Sequence, residues 1–168
     1  MLCHKTLIPL LGICIWMNCG ACSHQKAIHH AVERRDIRLV EYQLSKNPSC
    51  INQKDRLGRT PIYYASWVDE PAILLLLLSR GGDPNLTASW KGGASPLHVA
   101  STHEHVEVAR LLLESGAEID SIDDSGNTPL LLAARSGSVN SVKLLLAAGA
   151  DSTVQNRYGK HVFSDWYQ

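Results

Sequence analysis

The residues able to do chemistry in this chain fall into small groups. His103-Glu104-His105 offers two imidazoles and a carboxylate within three positions. On a helix an i, i+2 pair points about 200° apart, so these rings are not expected to close on a metal. Cys50 is the only cysteine after position 22, and no basic neighbour in sequence is placed to lower its thiol pKa. Cys3, Cys14, Cys19 and Cys22 crowd the start. A disulfide framework needs pairs spread through the fold, and this distribution is not one. There is no Gly-rich phosphate loop, no zinc-spaced Cys/His set and no serine elbow. The residues therefore predict a non-enzyme, with no metal and no cofactor.

The composition agrees. Of 168 residues, 45% are apolar, 19% charged and 6% aromatic, which describes one globular domain. Sixteen basic residues balance sixteen acidic ones, so no net field exists to hold nucleic acid or an anionic surface. Leu fills 23 positions, Ala 15 and Phe one, which predicts a core of aliphatic helix formers and an all-α fold.

Residues 1–21 read as an address. Lys5 precedes Leu7-Ile8-Pro9-Leu10-Leu11-Gly12-Ile13-Cys14-Ile15-Trp16-Met17, an uncharged apolar run of 11 residues. As a helix it would rise about 16 Å, roughly half a bilayer's hydrocarbon core, which suits a signal peptide better than a membrane span. The small residues Cys19-Gly20-Ala21 suit cleavage after Ala21. Gly20, Ala21 and Cys22 resemble a bacterial lipoprotein signal, and the resemblance implies lipidation of Cys22. Cys19 stands where that family has Leu, so cleavage without a lipid stays open, as does an uncleaved buried helix.

The remainder repeats. Gly58-Arg59-Thr60-Pro61-Ile62-Tyr63-Tyr64-Ala65 returns as Gly93-Ala94-Ser95-Pro96-Leu97-His98-Val99-Ala100 and as Gly126-Asn127-Thr128-Pro129-Leu130-Leu131-Leu132-Ala133, at intervals of 35 and 33 residues. A leucine-rich stretch ending at Gly81, Gly116 or Gly149 follows each. A Thr or Ser before Pro supplies an N-cap hydroxyl and a first residue that needs no N–H, so each pair starts a short helix. Gly137 and Asp69-Glu70 break that helix, and the later glycines stop the second one in the left-handed conformation.

These residues resemble the ankyrin repeat. The resemblance implies an α-solenoid of helix-turn-helix units joined by β-hairpin-like loops, about four to five of them. After a linker at 22–25, the units run over about 26–54, 55–87, 88–122, 123–155 and a partial cap at 156–168. It also implies that His29 and His98 bond to the backbone of adjacent loops, and that His105 is structural at an inter-helix turn. Partner contacts in the family come from loop tips and exposed first-helix positions on the concave face. In this register the tips supply Arg56, Leu57, Arg59, Trp90, Lys91, Asp124, Asn127, Arg157 and Tyr158. The helices supply Trp67, Val68, Thr102, His103 and Arg135. Trp90 stands where the family's loop Asp would be. The expected partner is another protein rather than nucleic acid, bound by a monomer, with membrane contact only through a lipid on Cys22.

Overall fold

The structure, a computed structural model, describes residues 24–89 and 92–162. The leader with Cys22, the pair Trp90 and Lys91, and residues 163–168 lie outside the described residues. The described residues form eight α-helices and no strand: α1 (His24–Glu33), α2 (Ile37–Lys46), α3 (Pro61–Trp67), α4 (Pro71–Ser79), α5 (Pro96–Thr102), α6 (Val106–Glu114), α7 (Pro129–Ser136) and α8 (Val139–Ala147). A 3₁₀ turn over Pro48–Asn52 follows α2, an element the sequence pattern did not announce. None of these helices is long and apolar enough to cross a membrane.

The first helices begin as the Thr/Ser-Pro pairs require. Thr60 accepts from the Tyr63 N–H, Ser95 from that of His98 and Thr128 from that of Leu131. Each satisfies an N–H that no helical carbonyl can reach, and Pro occupies the next position at no cost in hydrogen bonds. Between the helices of each unit the chain passes through left-handed backbone at Arg35, Asp69, Glu104 and Gly137, with φ from 54° to 74°. Gly116 ends α6 at φ 86° with open space where a side chain would stand.

First helices α1, α3, α5 and α7 stack in one layer, and α2, α4, α6 and α8 in the other. The core between them is aliphatic, with Leu77, Leu112 and Leu145 at 0% exposure and Leu44 at 4% in the same position of successive second helices. Asn52, Asn85 and Asp120 then accept the backbone N–H of Asp83, Glu118 and Asp151 in the following unit. The array is thus tied by polar bonds as well as by apolar packing, each unit to its neighbour.

One core position breaks the pattern. Val40, Ile73 and Val108 are succeeded by Ser141, which is fully buried and whose hydroxyl has no hydrogen-bond partner. Ser141→Val removes that orphan group and restores the branched side chain, so unfolding free energy should rise by about 1 kcal/mol. A urea midpoint equal to the parent's would show that the slot is too tight for the added methyl.

Candidate partner-binding face

Three loop tips are built on an acidic or amide side chain, which stands five residues before the helix-capping Thr in the tips that lead into α3 and α7. Asp55 Oδ1 accepts the N–H groups of Leu57 and Arg59, Asp123 Oδ1 those of Ser125 and Asn127, and Asn156 Oδ1 those of Tyr158 and Lys160. A backbone bond from the first of these residues to the carbonyl four positions on closes each tip. The connections are therefore side-chain-braced turns, not paired strands.

The second tip along the chain differs. Its closing bond runs from the Ala88 N–H to the Ala94 carbonyl, two residues wider than the others. Ala88, rather than Trp90, thus stands where the other loops carry Asp or Asn, which corrects the register read backward from Ser95. Adjacent tips touch closely: a Cβ on Gly58 would meet the Ser89 backbone nitrogen at 2.6 Å, and the Asp124 N–H reaches the Gly92 carbonyl at 2.6 Å.

Several expected contact residues are exposed on this row. Arg56, Asp124, Arg157 and Tyr158 are exposed, Tyr158 at 76%. Trp67, His103 and Arg135 are exposed at the ends of α3, α5 and α7, while Leu57, Val68 and Thr102 are half-buried. Two others are corrected. Asn127 is 5% exposed: its amide nitrogen donates to Asp123 and its oxygen accepts from Asn156, so it is a strut between tips. Arg59 is clamped by Asp55 at 2.7 Å and lies 4.5 Å above the Tyr64 ring. Its charge is spent inside the array.

Those contacts set local acidities. Partial burial opposes charge on Asp55, but bonds from the Arg59 side chain and backbone, the Leu57 N–H and the Tyr64 hydroxyl outweigh it and hold the carboxyl below the usual range. Burial, opposed by the Arg59 charge and reinforced by the bond to Asp55, pushes the Tyr64 phenol up to about 12. Cys50 is buried, and that burial pushes its thiol up, away from nucleophilic use.

The histidines act as struts. His29 Nε2 lies 2.9 Å from the Gln53 carbonyl and 3.0 Å from that of Arg59. His98 Nδ1 accepts the Ser95 N–H, which leaves the proton on Nε2 to donate to the Asn127 carbonyl at 2.9 Å. His105 Nδ1 donates to the Ser66 carbonyl of the preceding unit at 2.8 Å. The rings of His103 and His105 do meet, stacked at 5.7 Å, contrary to the helical argument. Glu104 between them has φ 60°, so the chain turns there instead of continuing as helix. Among the described residues no three His, Cys, Asp or Glu side chains come together as a metal site.

Burial lowers the His98 pKa below its usual 6.5, against the opposing pull of the Asn127 carbonyl and the Asp123 charge. A base with a depressed folded pKa contributes stability above its unfolded pKa and loses it as pH falls toward the folded value. Melting temperature should therefore decline as pH drops below about 6.5. His98→Gln should melt lower at pH 7.5 and show a shallower decline; an unchanged slope would remove His98 as the cause.

Between the tips and the helix ends lies a cleft of about 110 Å³ lined by Trp67, Ala94, His98, Val99, Thr102, His103, Asp123 and Leu132. The Trp67 and His103 rings meet edge to face at 4.9 Å on its rim. Asp123 and Leu132 are wall residues that the sequence reading did not select. The period carries a signal for Asp123, since Asp55 and Asn156 recur at its position.

Comparison with known proteins agrees with this geometry. The family model described as ankyrin repeats (3 copies) matches residues 3–88 and 81–156. An ankyrin repeat protein of fowlpox virus (strain NVSL) is 38% identical over 141 residues, 84% of this chain and 32% of that protein. The nuclear factor NF-kappa-B p105 subunit of Mus musculus is 33% identical over 132 residues, 77% of this chain and 14% of its own length. The B-cell lymphoma 3 protein homolog of Mus musculus is 39% identical over 104 residues, 60% of this chain and 23% of that protein. This chain therefore spans a third or less of the length of these curated relatives. Ankyrin repeats are protein–protein interaction modules, and with the family model matching most of its length this chain belongs to the ankyrin-repeat family.

Proposed function

We propose that the chain is a non-enzymatic, monomeric binding module, exported from the cytoplasm, that holds a partner protein against its tips and first-helix ends. The observation that carries this reading is the row of exposed side chains on successive tips, Arg56, Asp124, Arg157 and Tyr158, with Trp67 42% exposed beside them. Large aromatics and Arg dominate interface energetics, and both are present on this face. Its mixed charge suits a folded protein better than a phosphate backbone. The buried His, Cys and Asn side chains on the same elements brace the loops or fill the core, which supports binding rather than catalysis. Trp90 and Lys91 fall in sequence between Ala88 and Ala94 and are part of the proposal on sequence grounds alone.

Export rests on the uncharged run at 7–17 and the small residues before Cys22. In this reading the mature chain is periplasmic, or held to a membrane by acyl chains on Cys22. One chain of myristoyl size binds membranes marginally, whereas several would anchor it. A second reading has a specific observation in its favour. The family match begins at residue 3 and so takes in the apolar run, which supports an uncleaved intracellular adaptor.

Mass spectrometry of the mature N-terminus separates them. A chain starting at Cys22, with or without diacylglycerol, is expected. An intact Met1 would overturn export and leave the interaction module standing.

A further inference from the structure

The cleft under Trp67 has one carboxylate in its wall. His98 holds its proton on Nε2 with Nδ1 occupied by Ser95, and burial keeps the ring neutral. Thr102 donates its hydroxyl to the His98 carbonyl, so it presents no free donor. The remaining polar groups are the His103 imidazole, edge to face with Trp67 on the rim, and the Asp123 carboxylate. Its Oδ1 is occupied by the N–H groups of Ser125 and Asn127, whereas Oδ2 takes a single bond, from the Asn127 amide at 2.9 Å. A carboxylate oxygen accepts about two hydrogen bonds, so one acceptor site is left on Oδ2.

Asp124, the next residue on the same tip, adds a second, exposed carboxylate. An indole rim, apolar walls from Val99 and Leu132, and a carboxylate within a volume of about 110 Å³ match one kind of side chain. Its stem is aliphatic and its end is a cation.

We propose that this cleft is a receptor for a single arginine or lysine side chain presented by the partner protein, with the stem along Val99 and Leu132, the cation against the Trp67 ring and a hydrogen bond to Asp123 Oδ2. This inference rests on the partner-binding reading of the face and names the chemistry of its central contact. Arginine is the better fit, because its planar guanidinium both stacks on indole and forks its donors. Affinity for the cation falls as salt rises.

The test uses the full chain and short peptides as probes. Acetyl-Gly-Arg-Gly-amide is titrated against its citrulline and norleucine counterparts, which keep the stem and remove the charge. Binding is read from chemical-shift changes at the Trp67 indole and the Thr102, His103 and Asp123 amides. The arginine peptide should bind there about tenfold or more tighter than citrulline. Asp123→Asn should abolish that preference; because it also sets a new amide NH2 against the Asn127 amide, binding is compared at a temperature where the melting curve shows the variant folded. Equal binding of the arginine and norleucine peptides, shifts at other residues, or no shift at all would each overturn the proposal. If the arginine peptide fails here while Trp67→Ala still costs the module its protein partner, the cation receptor is wrong and the binding face stands; loss of both removes the face itself.

Discussion

Leu112→Ala is expected to reduce unfolding free energy by about 3–5 kcal/mol, the range for deleting a fully buried aliphatic side chain whose surroundings collapse only in part. Leu112 is 0% exposed on α6, and α6 packs on α4 before it and α8 after it. A solenoid's stability is the sum of unit terms and neighbour interfaces, so a cavity here weakens both adjoining interfaces. Leu145 occupies the equivalent place on α8, where among the described residues only one second helix, α6, packs beside it. Leu145→Ala should therefore cost less than Leu112→Ala. Urea denaturation of the two variants checks the ordering. Equal losses would mean that the units do not couple as neighbours, and the layered packing would be the wrong account of stability.

Much of this fold is legible in the sequence because its local and long-range signals share one period. Thr60, Ser95 and Thr128 cap helices through contacts within a turn, so their effect does not depend on what packs above them. The site is less legible, because exposure at a tip depends on a second tip. Asn127 and Arg59 look like solvent-facing loop residues until Asn156 and Asp55 are placed beside them. The Trp90 register fails for a related reason: the 35-residue interval shows that two residues were added, but not that they widen the turn between Ala88 and Ala94. His103 and His105 carried a clue that went unused. Gly137, 33 residues after Glu104, marks the same position as left-handed, which excludes a helix through the pair.

The second large effect concerns binding, and it is also the central claim. Trp67 and Tyr158 are exposed at 42% and 76%, so truncating them removes contact surface at small cost to the core. Trp67→Ala and Tyr158→Ala should each weaken partner binding by about 2 kcal/mol or more, the range of interface hot spots, with melting temperatures near the parent's. Lys143 is exposed on α8 in the other layer, and Lys143→Glu should leave affinity unchanged. The decisive measurement is the dissociation constant of the partner recovered by pull-down from the protein's own cells, taken for parent and all three variants alongside each melting curve. The account predicts loss in the two aromatic variants alone. Normal binding by both, with loss in Lys143→Glu, would place the interface on the second-helix layer and contradict it.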